Sequence, residues 1–198
     1  MSKSEKELRY VQAPSEVRMI EEGESRRVEG YAALYDTRTT IGNWFEEEIA
    51  PGAFDDVLGD DVRALFNHDP NMILARSKDG KGTLTLSVDE RGLKYAFDMP
   101  DRTYARDLFD AIKSGDVDSS SFGFRIEQEE WEERGDGELP VRRITRMAQL
   151  YDVSPVTYPA YPDATVALRS MPQDKNEEPT TNSTLSWRAA QMKINNLK

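Results

Sequence analysis

The run Thr83-Leu84-Thr85-Leu86-Ser87-Val88 constrains the fold more than any other stretch of this 198-residue chain. Its apolar residues recur at period two, which places Leu84, Leu86 and Val88 on one face of a strand and hydroxyls on the other. Asp89-Glu90-Arg91-Gly92 then reads as a turn and residues 93–99 as a returning strand, so the sequence predicts a hairpin. Further strands are expected at 26–35, 44–49, 62–66, 118–126 and 141–156, with 72–75 continuing the 62–66 strand beyond the turn. Residues 53–58 read as one or two helical turns. The clearest helix is Thr103–Ser114, where Tyr104, Leu108, Ala111 and Ile112 fall on one face and Gly115 closes the end. The fold class expected is α+β and strand-rich, a closed or barrel-like β core with a few surrounding helices.

Composition limits the rest. An apolar fraction of 37% and a charged fraction of 32% fit one domain with loose ends rather than a wholly packed chain. The expected division is a flexible N-terminal arm over 1–15, a domain over 16–170 and a disordered tail over 171–198, where Pro, Asn, Thr, Glu and Lys dominate. A final short element at 166–168 and a marginal amphipathic helix at 186–197 are the only order expected late in the chain. The net charge of −11 argues against a nucleic-acid partner, which needs a surplus of Lys and Arg. The tail carries Lys175, Arg188, Lys193 and Lys198 against Asp174, Glu177 and Glu178, so the acidity lies in the body. Charge runs such as Glu46-Glu47-Glu48 and 129–133 read as solvated faces.

No apolar run approaches the 18 or so residues that would suggest a membrane span, and the first residues lack the apolar segment of a signal peptide. A cytoplasmic protein is the simplest expectation. With no cysteine, thiol catalysis and thiolate metal sites are excluded. One histidine cannot build a zinc site, and no spaced calcium loop or phosphate-binding glycine loop is present. No metal or cofactor is expected.

That one histidine, His68, sits in Leu65-Phe66-Asn67-His68-Asp69-Pro70. Any imidazole chemistry near neutral pH has to run through it; the plainer reading is a surface residue in a turn. A nucleophile for it is suggested by residues 119–126. At period two, Phe122, Phe124 and Ile126 share the core face, while Ser119, Ser121, Gly123 and Arg125 share the opposite, open face. Ser120 points with the phenylalanines. A serine beside a glycine on an open face suits a nucleophile, and the competing reading is a polar strand start.

Taken together, these stretches resemble the tailed-phage prohead (capsid maturation) serine protease family. Ser121-Phe122-Gly123-Phe124 resembles its serine motif and Leu65-Phe66-Asn67-His68 its histidine motif. Asp152-Val153-Ser154-Pro155 running into Pro159-Ala160 resembles a third block. Gly30-Tyr31-Ala32-Ala33-Leu34-Tyr35 and Ile49-Ala50-Pro51-Gly52-Ala53-Phe54 also look like family features, and the likeness spans about residues 28–168. Five such stretches occur in the family's order.

The resemblance implies a fold related to the herpesvirus assembly proteases and a serine endopeptidase that cleaves capsid and scaffold precursor, and itself. By motif, Ser121 would be the nucleophile, His68 the general base and Asp152 the residue that orients the imidazole, with Asp69 and Asp118 as rivals for the last role. This chain has Asp where many relatives have Glu, which shortens the reach by one methylene. By analogy with the herpesvirus enzymes, backbone amides near Arg142-Arg143 would form the oxyanion hole. The implied partners are the major capsid protein precursor and its scaffold segment, with a homodimer as a further option, and no nucleic acid or membrane. The place of action would be the assembling procapsid in the host cytoplasm. The competing function is a catalytically inactive capsid scaffold or core protein with the same fold.

Overall fold

A computed structural model describes residues 7–11, 17–22, 25–135 and 137–158. The strands, in chain order, are β1 (Glu7–Val11), β2 (Val17–Glu22), β3 (Ser25–Leu34), β4 (Thr39–Ile41), β5 (Phe45–Ile49), β6 (Val62–Leu65), β7 (Ile73–Lys78), β8 (Lys81–Gly82), β9 (Leu84–Val88), β10 (Gly92–Asp98), β11 (Ser119–Glu132) and β12 (Val141–Val156). The helix among the described residues is α1 (Thr103–Ser114). The fold is mostly β.

The predicted hairpin is β9 and β10, paired antiparallel from Leu93 opposite Val88 to Phe97 opposite Leu84. Its turn is held by Asp89, whose Oδ1 accepts from the backbone N–H groups of Arg91 (2.8 Å) and Gly92 (3.2 Å). Gly92 has φ +153°, and a Cβ there would lie 2.0 Å from the carbonyl oxygen of Ala33 on β3. Only glycine lets β3 and the hairpin approach so closely. Helix α1 ends where Gly115 takes the left-handed conformation (φ 82°) and its N–H reaches the carbonyls of Ala111 and Ile112. This is the stop that the sequence announced.

The strands form two sheets. One runs β2-β3-β10-β9; the other has eight strands, with the path β1-β11-β12-β6-β7-β8 and with β5 on β12 and β4 on β5. The closed barrel expected from the sequence is not formed: the described pairings join neither sheet into a ring, and β1 and β8 remain separate ends of the larger one. Nor, among the described residues, do several helices surround the core. Residues 53–58 lie in successive four-residue turns instead, with Ala53 N–H on Ala50 O, Asp55 N–H on Gly52 O and Val57 N–H on Phe54 O.

Phe54, Phe122 and Phe124 are fully buried at the centre. The Phe122 and Phe124 rings stack at 4.7 Å, and Phe54 meets Phe122 edge-on at 5.7 Å. The sheets are also tied by a polar contact, Tyr95 Oη of β10 to Ser120 Oγ of β11, at 2.8 Å. Both groups are buried, and each satisfies the other.

Two charged stretches behave differently from expectation. Glu7–Val11, inside the segment expected as an arm, is β1 and pairs antiparallel with β11 from Glu7 opposite Phe124 to Val11 opposite Ser120. In β5 the burial alternates, with Phe45, Glu47 and Ile49 inward. Glu47 is therefore not solvated as the charge run suggested. It accepts from Arg9 and, at 3.2 Å, from Arg142. Glu7 bonds the same two guanidinium groups, at 2.5 Å to Arg9 and 3.1 Å to Arg142. Burial of four charges is tolerable because each has an opposite partner. The elements expected at 166–168 and 186–197, and the tail at 171–198, lie outside the described residues.

Candidate active site

Three elements converge on one point. Ser121 lies on β11, Asp152 on β12, and His68 on the turn between β6 and β7. In the β11–β12 register Ser121 stands opposite Ser154, and Gly123 opposite Asp152. Ser121, Gly123, Asp152 and Ser154 therefore share one face of the sheet. The absence of a side chain at Gly123 leaves the space in front of Asp152 unfilled from that strand.

The turn delivers the imidazole. Asn67 and His68 both have left-handed backbone, at φ 53° and 58°, a conformation that costs non-glycine residues about 1–2 kcal/mol each. It is held by the end of β12. Asn67 N–H donates to Pro155 O at 3.1 Å, its Nδ2 donates to Thr157 Oγ1 at 3.1 Å, and Thr157 N–H donates to its Oδ1 at 2.9 Å. Asn67 thus clamps the turn to the strand that carries Asp152. Strain maintained this way is common at functional sites.

In that position the Nδ1 of His68 is hydrogen-bonded to Oδ1 of Asp152, and its Nε2 lies 2.5 Å from Ser121 Oγ. Ser154 Oγ donates to the same Asp152 Oδ1 at 3.0 Å. The side chain of Asp152 is 2% exposed and that of His68 12%, so the carboxylate is shut away from water while the ring sits at the rim. The shorter Asp side chain reaches the ring.

The rivals are engaged elsewhere. Asp69 accepts from the backbone N–H and Nδ2 of Asn71 within its own turn, at 2.8 and 2.9 Å. Asp118 accepts from Ser119 Oγ at 2.9 Å, and Ser120 is bonded to Tyr95. The amides of Arg142 and Arg143 are not at this point of the sheet. They lie where β12 is flanked on both sides, by β5 and by the far half of β11.

One expectation needs correcting. The split of the serines by face holds, with Ser120 on the phenylalanine side, but the face of Ser121 is not open: Ser121 is completely buried. Its hydroxyl also donates to the backbone carbonyl of Arg9 on β1, at 2.8 Å. Sequence reasoning gave Ser154 and Asn67 no role. The period-two spacing of Ser154 from Asp152 was the one available signal for the former, and nothing local marks the latter's partner 90 residues away. Among the described residues, no group of three or more His, Asp and Glu side chains is placed to hold a metal ion.

A carboxylate on one imidazole nitrogen and a serine hydroxyl on the other is the arrangement of a serine hydrolase. The carboxylate fixes the tautomer that leaves Nε2 able to accept the serine proton. The chain belongs to the caudovirus prohead serine protease family, whose model matches residues 13–178. It is similar to the prohead protease of Enterobacteria phage HK97, with 28% identity over 158 residues, 77% of this chain and 64% of that protein. This chain thus spans less than two thirds of that relative's length. No solved structure is significantly similar to it.

Proposed function

We propose that this protein is a serine endopeptidase of prohead maturation, in which Ser121 attacks, His68 is the general base and Asp152 orients the imidazole. The observation that carries the reading is the line Asp152–His68–Ser121, assembled from residues 84 and 53 positions apart. Chance rarely brings the one histidine of a chain between a buried carboxylate and a buried serine.

In the proposed reaction His68 Nε2 takes the proton from Ser121 Oγ as the oxygen attacks the scissile carbonyl carbon. The imidazolium that forms is stabilised by Asp152, which keeps its own charge. His68 then gives the proton to the leaving amine, the peptide bond breaks, and an acyl-serine remains. Water, activated in turn by His68, releases the new carboxylate and restores Ser121. Ser154 supports the carboxylate, and Asn67 holds the ring in place.

The proposed substrate is the capsid protein precursor with its scaffold segment, met inside the assembling procapsid in the host cytoplasm. Support comes from the family and from the name of the HK97 relative. Under the same reading residues 16–170 are the protease domain. The tail at 171–198 tethers it within the shell and is trimmed by the enzyme itself.

Co-expression with the cognate capsid precursor tests the reading. Wild-type protein should cleave the precursor, and Ser121→Ala and His68→Ala should each abolish cleavage. Cleavage that persists with Ser121→Ala would overturn the mechanism. Absence of cleavage by the wild type would favour an inactive scaffold protein.

A further inference from the structure

The edge of β11 beside Ser121 is filled by the chain's own strand β1, and this placement bears on how substrate enters. The inference rests on Ser121 being the nucleophile. We infer that residues 120–124 of β11 form the docking edge for an extended substrate peptide, and that β1 occupies that edge as an internal competitor.

Three observations support it. First, β1 pairs antiparallel along Ser120 to Phe124, which is how an extended peptide adds to an exposed sheet edge. Second, Ser121 is completely buried with β1 in place, so no peptide carbonyl from outside can approach its Oγ. Third, the Arg9 carbonyl competes for a proton. A serine hydroxyl has one hydrogen to donate, and Arg9 O, 2.8 Å from Ser121 Oγ, is an acceptor for it. That hydrogen is the one His68 Nε2, 2.5 Å from the same Oγ, has to accept for attack.

The strand is held from its other face. The Arg9 side chain is ion-paired to Glu47 and Glu7, while Glu47 keeps a second partner in Arg142. Loss of the Arg9 side chain therefore loosens β1 without leaving Glu47 alone in the interior. β1 also lies ahead of the family match, which begins at residue 13. A capsid segment gains the edge only when β1 leaves it.

The test is the rate at which a fluorophosphonate reagent labels Ser121 in the full chain. Arg9→Ala should be labelled about tenfold faster than wild type, since a tenfold change needs only about 1.4 kcal/mol and a broken buried ion pair exceeds that. Arg9→Lys, which keeps the charge, should fall between them. A synthetic peptide of residues 4–13, added to Arg9→Ala, should slow labelling again. If Arg9→Ala does not melt cooperatively, Glu7→Gln loosens the same strand and is read instead. Labelling of Ser121 at one rate in wild type and variants, or no effect of the peptide, would overturn the inference and leave the nucleophile assignment standing. Equal labelling of Ser121→Ala would instead overturn the nucleophile assignment.

Discussion

Ser154 donates its hydroxyl hydrogen to Oδ1 of Asp152, the same oxygen that faces Nδ1 of His68. A buried carboxylate is kept charged by donors, and here Ser154 and His68 point at a single oxygen. Ser154→Ala removes one of them at a net cost of about 1 kcal/mol. Under the proposed mechanism kcat/KM for precursor cleavage should fall about fivefold, while the thermal midpoint falls by only about 2–4 °C. An unaltered rate would show that Ser154 only fills space.

Asn67 has two separable jobs, a left-handed backbone and a side-chain clamp on Thr157. Asn67→Gly keeps the first and loses the second, so activity should drop while the fold survives. Asn67→Ala loses both and should be less stable than the glycine variant by about 1 kcal/mol. Paired urea melts and cleavage rates check this; a glycine variant as active as wild type would remove the clamp from the account.

Phe122 stacks on Phe124 and meets Phe54 edge-on, on the side of β11 away from Ser121. Phe122→Ala should cost about 3–5 kcal/mol of stability through the cavity it leaves. Chemical denaturation measures it, and a loss under about 1 kcal/mol would mean the core collapses onto the gap.

Asp61 takes two bonds from Arg76, at 2.7 Å each. The Arg76 bonds and the nearby Arg63 charge hold its carboxyl at about 2, below an ordinary value of 3.8. A carboxylate with a lowered folded-state pKa stabilises fully above its unfolded pKa and loses that contribution as the pH falls through the folded value. Between about pH 4 and pH 2 the melting temperature of Asp61→Asn should therefore fall less steeply than that of wild type. Parallel curves would contradict the coupling.

Much of this was legible in the sequence, because the signals were local. The 3.6-residue spacing of Leu108 and Ile112, closed by Gly115, predicts α1 at its observed bounds. The alternation at 83–88 predicts β9, and the serine and phenylalanine alternation separates the two faces of β11. What was hidden depends on distant partners. Glu7 and Arg9 look like a solvated arm until Glu47 and Arg142 are seen to neutralise them. Glu47 looks exposed for the same reason. The strand β1 beside Ser121 is marked by no periodicity, and the clamp on His68 joins Asn67 to a threonine 90 residues on. The motif resemblance named His68, Ser121 and Asp152. Strand geometry alone left Ser119 beside Ser121, and sequence proximity left Asp69 and Asp118 as rival carboxylates; only the folded chain shows where the hydrogen bonds of Asp69 and Asp118 go.

The central claim is that one serine of the three at 119–121 is activated by His68. Peptide mapping by mass spectrometry after complete reaction with a fluorophosphonate tests it most directly. The account predicts a single adduct on Ser121 in the wild-type chain and none in His68→Ala. An adduct on Ser119 or Ser120, or undiminished labelling without the imidazole, would contradict it.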